Sequence, residues 1–145
     1  MRDPAESESA LDEFLRAFED GTYPKQHWTH RAHVIMAAAR LAASDRYAAL
    51  ALVRRQIRAY NEAQGGENTE TSGYHETLTV FWLAVIDDFL RALPAGLSRI
   101  ERVRRAADEF GTQSGLFKGY WSFDITASAE ARREWTPPDR IALRW

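Results

Sequence analysis

Apolar side chains recur along this chain at intervals of three and four residues, the period of an α-helix that buries one face. Leu11, Phe14, Leu15 and Phe18 keep that spacing ahead of Gly21, and Ser9 with Asp12 has the form of a capping box, so a first helix is expected there. Tyr23-Pro24 interrupts the pattern. Thr29 then suits the N-cap of an alanine-rich helix from His30 to Ala43. Val34, Ala37 and Leu41 are apolar on one side of it and Ile35, Met36 and Ala39 on the other, which predicts a central position. Beyond Ser44-Asp45, the residues Tyr47, Leu50, Val53, Ile57 and Tyr60 predict a third helix that stops near Gly65-Gly66.

A polar stretch from Glu67 to Gly73 separates this helix from a fourth, expected from about Tyr74 to Leu93 and carrying Leu78, Trp82, Val85, Ile86 and Phe89 ahead of Pro94. Ser98 can cap a fifth, in which Ile100, Val103, Ala107 and Phe110 repeat the apolar spacing up to Gly111. The remainder is irregular: Leu116, Phe117, Tyr120, Trp121 and Phe123 form an aromatic segment, and a short helix is expected between Ser128 and Trp135. No repeat, low-complexity tract or linker divides the chain. The expectation is an all-α single domain over residues 1–145, a bundle of about five helices with an aromatic C-terminal segment.

Composition narrows the chemistry. With 145 residues, 45% hydrophobic and 28% charged, a self-sufficient core is within reach. A net charge of −2 offers no basic surface for nucleic acid, so no nucleic-acid partner is expected. The absence of cysteine removes disulfides, thiolate metal sites and cysteine nucleophiles. The start of the chain, Met1 to Glu8, is polar and acidic, and no apolar run reaches membrane-spanning length, so a cytoplasmic protein with no membrane partner is expected.

The chemical lead lies in the histidines. Three of the four fall within His27-Trp28-Thr29-His30-Arg31-Ala32-His33, and His75 opens the fourth helix. Each helical residue turns roughly 100° about the axis, so His30 and His33 share a side with Val34, Ala37 and Leu41, while His75 shares one with Leu78, Thr79, Trp82 and Ile86. Three inward imidazoles with an open fourth position are the donor set of a catalytic metal. One divalent ion is therefore expected on His30, His33 and His75, zinc first, with iron, copper, manganese or nickel also compatible with nitrogen donors. His27 lies about 120° from His33 even on an extended helix and is expected to be a solvated loop residue. The competing reading makes the histidines structural, each bonded to a backbone carbonyl or packed beside tryptophan.

Glu76 is the candidate general base or partner of a ligand histidine, and equally an acid favoured by the dipole at a helix start. Glu19 is a second, more exposed carboxylate. Asn68 and Thr69 are candidate substrate contacts or local caps, and Tyr74 and Trp82 candidate walls of an apolar substrate pocket or simply core.

The runs Trp28-Thr29-His30-x-Ala32-His33, Tyr60-Asn61-Glu62 and Asn68-Thr69-x-Thr71-x-Gly73-Tyr74-His75-Glu76-Thr77-Leu78-Thr79, with Ser128-x-Glu130-Ala131-Arg132, Trp135 and Pro138-Asp139, resemble a group of small uncharacterised bacterial all-helical proteins. That resemblance implies a coherent site and names no reaction. A looser likeness to three-histidine, metal-binding DinB-like bundles concerns architecture alone. The function expected from the sequence is a metal-dependent enzyme acting on a small-molecule substrate by hydrolytic or other Lewis-acid chemistry. A redox-metal oxygenase or oxidase and a metal-free binding or interaction module are the alternatives.

Overall fold

In the computed structural model, which describes all 145 residues, six helices and three short 3-10 turns follow one another without a strand. The helices are α1 (Glu8–Glu19), α2 (His30–Ala43), α3 (Arg46–Ala63), α4 (Glu76–Arg91), α5 (Arg99–Phe110) and α6 (Ala129–Arg133). Each start has its own cap. Thr29 accepts from Ala32 N, Asp45 from Tyr47 N and Ala48 N, Ser98 from Glu101 N, and Ser128 from Ala131 N. The first helix is capped by Ser7, which accepts from Ala10 N, and not by the Ser9-Asp12 pair expected from the sequence. The extended backbone needed at an N-cap falls at Ser7, so Ser9 is already inside the helix.

The helix α2 is the axis of the bundle. It packs against α3, α4 and α5, and eight of its residues are buried, from Ala32 to Leu41. Ala32, Ala37, Ala38 and Ala39 project little beyond their backbone, which lets the neighbours approach closely. The α1 stripe of Leu11, Phe14, Leu15 and Phe18 closes the bundle against α3 and α5. Burying a side chain such as Phe18, 1% exposed, contributes roughly 1.5–3 kcal/mol. Tyr47 departs from its expected place in the core: it is 62% exposed and meets Trp145 edge-on at the surface.

The chain after α5 wraps the outer side of α4. Phe81, Trp121, Ile125 and Ala131 form a second small core there. Thr77 Oγ1 donates to the Glu134 carbonyl and Trp121 Nε1 to the Thr136 carbonyl, which seats the segment. At the far end, Arg46 reaches Asp87 Oδ2 at 2.8 Å, Asp88 Oδ1 at 2.6 Å and the Arg144 carbonyl at 2.9 Å. Both Arg46 and Asp87 are buried. No helix of the chain is long and apolar enough to cross a membrane.

Removing one member of a buried ion pair leaves the other desolvated without compensation, at a cost of about 3 kcal/mol or more. Since Arg46 keeps Asp88 and the Arg144 carbonyl, Asp87→Ala should lower the urea-denaturation stability by up to about 3 kcal/mol, while Asp88→Ala, whose side chain is 58% exposed, should cost less than about 1 kcal/mol. Equal losses in the two variants would show that Arg46 depends on its solvent-side partner as much as on Asp87.

Candidate functional site

A cavity of about 500 Å³ opens between α2, α3 and α4, with 12 of its 19 lining residues hydrophobic, a size and character suited to a small ligand. His30, His33, Val34 and Ala37 line it from α2, Val53, Ile57 and Asn61 from α3, and Leu78, Trp82 and Ile86 from α4. Gly73, Tyr74 and His75 close one end, with Phe117 and the exposed Ser114 beside them. The helical directions derived from the sequence thus converge on one space: Leu78, Thr79, Trp82 and Ile86 face it together with His75, and Val34 and Ala37 with His30 and His33.

The imidazoles differ in what they have left to offer. His30 Nε2 lies 3.0 Å from the Phe110 carbonyl and must donate to it, so Nδ1 is the unprotonated nitrogen and has no protein partner. His33 Nδ1 donates to the Thr29 carbonyl at 2.7 Å, one turn back on its own helix, and its Nε2 is likewise unengaged. Neither free nitrogen is sealed off by protein. The His33 ring packs against Trp28 with centroids 3.8 Å apart and planes tilted by 31°, and Trp28 stacks in turn on Phe18 at 4.7 Å. That stack fixes the ring that the Thr29 bond orients.

His75 is spent on the fold. It is the N-cap of α4: Nδ1 accepts from Leu78 N at 3.1 Å, and Nε2 donates to the Ile125 carbonyl at 2.9 Å. Both nitrogens are engaged, and no three histidine, aspartate or glutamate side chains stand together in a way that could hold an ion. As arranged, the residues expected to ligate a metal therefore do not form a ligand set: His75 would have to surrender its cap or its bond to Ile125. His27 is exposed in the turn Lys25–His27 and takes no part in the cavity, as expected.

Glu76, the first residue of α4, does not line the cavity. Arg54 grips its carboxylate through Nε at 2.9 Å and Nη2 at 2.5 Å, and Tyr74 donates its hydroxyl to Oε1 at 2.6 Å. Burial pushes the Glu76 carboxyl up, but the Arg54 fork and the Tyr74 hydroxyl outweigh it and leave it below its ordinary value. A carboxylate so held positions Tyr74 and is a poor proton acceptor. Burial, followed by the bond to Glu76, pushes the Tyr74 phenol up, so it remains a neutral donor. Glu19, the other carboxylate considered, pairs with Arg40 at 2.7 Å.

The polar loop is bonded mostly to itself. Asn68 Oδ1 accepts from Tyr74 N and from Asn61 Nδ2, and Asn68 Nδ2 donates to the Arg58 carbonyl. Thr69 Oγ1 accepts from Thr71 N and Ser72 N. Gly73 closes the turn with φ +79°, where a Cβ would collide with the Glu67 carbonyl and Asn68 Oδ1. Asn68 and Thr69 line a separate, smaller depression that shares only Tyr74 with the main cavity. Of the expected substrate contacts, Tyr74 and Trp82 are thus in the cavity and Asn68 and Thr69 are not.

Sequence reasoning passed over Asn61 and Ser114. Asn61 gives its amide to Asn68 and keeps a carbonyl oxygen without a protein partner. Its place one helical turn beyond Ile57 was the available signal. No family model matches the chain, and no curated protein or solved structure matches it.

Burial holds all three inward histidines toward the neutral form: His33 is pushed down to about 4, against the upward pull of its Thr29 bond, and His30 and His75 are pushed down in the same direction. The unfolded chain protonates its histidines near their ordinary value of 6.5, so it gains protons first as pH falls. Stability should accordingly be complete above about pH 7 and decline between pH 6.5 and 4, with His33 accounting for at most about 3 kcal/mol. In urea titrations at pH 7.5 and pH 4.5, His33→Gln should lose about 2 kcal/mol less than the parent protein across that interval. Parallel losses would show that the His33 ring titrates freely in the fold.

Proposed function

We propose that this protein binds a small, largely apolar molecule in the cavity between α2, α3 and α4, and recognises one hydrogen-bond donor on that molecule. The observation that carries this reading is the pair of neutral imidazoles on one helix, His30 with Nδ1 free and His33 with Nε2 free, set in a lining dominated by hydrophobic residues. Each free nitrogen is an acceptor only, and Asn61 adds an acceptor oxygen. A hydroxyl or an amide N–H satisfies such a wall; a carboxylate does not.

Recognition is favoured over acid–base catalysis by the same electrostatics. A general base works best with a pKa near the working pH, and an imidazole held near 4 is a weak acceptor of a full proton at neutrality. It remains a sound hydrogen-bond acceptor. A second reading keeps the metal expected from the sequence: His30 and His33 are three residues apart and each has an uncommitted nitrogen, so a divalent ion such as zinc would find two protein donors there. Its Lewis acidity is the chemistry that an enzyme on this site would use.

Two shape-matched probes separate these readings. 1-Naphthol should bind about tenfold more tightly than 1-methylnaphthalene, whose methyl group cannot donate, and His30→Phe with His33→Phe should abolish that preference. Calorimetry with zinc, iron(II), copper(II), manganese(II) and nickel(II) forms the second arm. Equal affinity for the two naphthalenes would overturn the recognition reading, and tight one-to-one metal uptake lost in His30→Ala and His33→Ala would put the metal reading in its place.

A further inference from the structure

The smaller depression, about 250 Å³, is bounded by Arg58 from α3, Arg132 and Arg133 from α6, and Thr69 and Glu70 from the polar loop. Arg46, Arg54 and Arg99 each sit within 3.0 Å of a carboxylate. Arg58, Arg132 and Arg133 have no carboxylate within ion-pair distance. Three guanidiniums without a carboxylate partner, brought from two separate helices to one concavity, give it a positive field that favours an anion.

Two of the three are also held in place. Arg132 Nη1 donates to the Gly73 carbonyl at 2.8 Å, and the Arg58 guanidinium lies 5.8 Å from the centre of the Tyr74 ring. Arg133 is exposed and has no partner. Glu70, exposed on the loop, is the one acid on the wall and leaves a net charge of two positive. A carboxylate would neutralise half of that, whereas the dianion of a phosphate monoester balances it and offers oxygens to forks arriving from different directions.

We propose that this depression is a binding site for the phosphoryl group of a small molecule, with Arg58, Arg132 and Arg133 as its donors. It stands independently of the apolar cavity, since the two share only the Tyr74 side chain. Glu70 tunes the site by opposing anion entry.

The test is a titration of the full chain with inorganic phosphate, and separately with acetate at matched ionic strength, followed through the backbone amide resonances of Thr69, Glu70 and Arg133. Phosphate should saturate with a dissociation constant on the order of 1 mM, and acetate should bind at least about tenfold more weakly. The exposed pair Arg58→Gln with Arg133→Gln should weaken phosphate about tenfold or more with an unchanged circular-dichroism spectrum. Glu70→Gln should strengthen it severalfold, an effect that a merely structural loop residue would not produce. A linear, unsaturated response to phosphate, an equal response to acetate, or affinities unmoved in both variants would overturn the proposal.

Discussion

The constraint on which the rest of this structure depends is the enclosure of α2. A helix packed against three neighbours keeps only a narrow solvent side, where Arg31 and Arg40 pair with Asp3 and Glu19, and alanines fill much of the rest. The two histidines, His30 and His33, sit in the first turns on the side that faces the neighbouring helices. A buried ring nitrogen without a partner costs on the order of 1–3 kcal/mol, so each imidazole is bonded to the nearest available carbonyl, Phe110 for His30 and Thr29 for His33. A neutral imidazole that donates from one nitrogen presents a lone pair at the other. The acceptor wall of the cavity is therefore a consequence of where α2 lies.

The opposite wall depends on the last third of the chain. The N-terminus of α4 is capped by His75, and that ring is in turn tethered to the Ile125 carbonyl, 50 residues later. Thr77 is pinned to the same C-terminal segment through Glu134 and Thr136. Arg54 and Tyr74 clamp Glu76 in the same turn. The Tyr74-His75-Glu76-Thr77 run is thus tied to α3 through Arg54 and to the C-terminal segment through His75 and Thr77, and the product is a fixed starting point for α4 and for the cavity face of Leu78, Trp82 and Ile86.

Local chemistry was readable in the sequence where the deciding contacts were local. Thr29 and Ser98 cap the helices expected of them, because an N-cap bond spans only three residues. The inward directions of His30 and His33 were also legible, since helical geometry alone sets them, whereas His75 reaches the same space from an extended N-cap outside α4. What each imidazole does with its nitrogens was not. Direction toward a common space does not decide whether a ring coordinates, caps or donates, and the deciding partners, Phe110 and Ile125, lie 80 and 50 residues away. Glu76 was misleading for a related reason: nothing near it in sequence announces Arg54, which reaches it from the preceding helix. Tyr47 shows the converse limit: it continues the apolar period of α3 into the helix's first turn, yet is 62% exposed there.

The two concavities have opposite electrostatic preferences, and this separates them functionally more sharply than distance does. In the apolar cavity the free groups of His30, His33 and Asn61 are lone pairs, so an anion brought against them would be repelled and would lose its hydration in a hydrophobic surround. Around the smaller depression every guanidinium is a donor, and a neutral apolar ligand gains little from it. Tyr74 stands at the boundary with its hydroxyl committed to Glu76, so it contributes its ring to both sides and a donor to neither. A ligand carrying both an apolar body and a phosphoryl group would have to pass around that ring, and the clamp of Arg54 and Glu76 on the Tyr74 hydroxyl is what keeps the two compartments distinct.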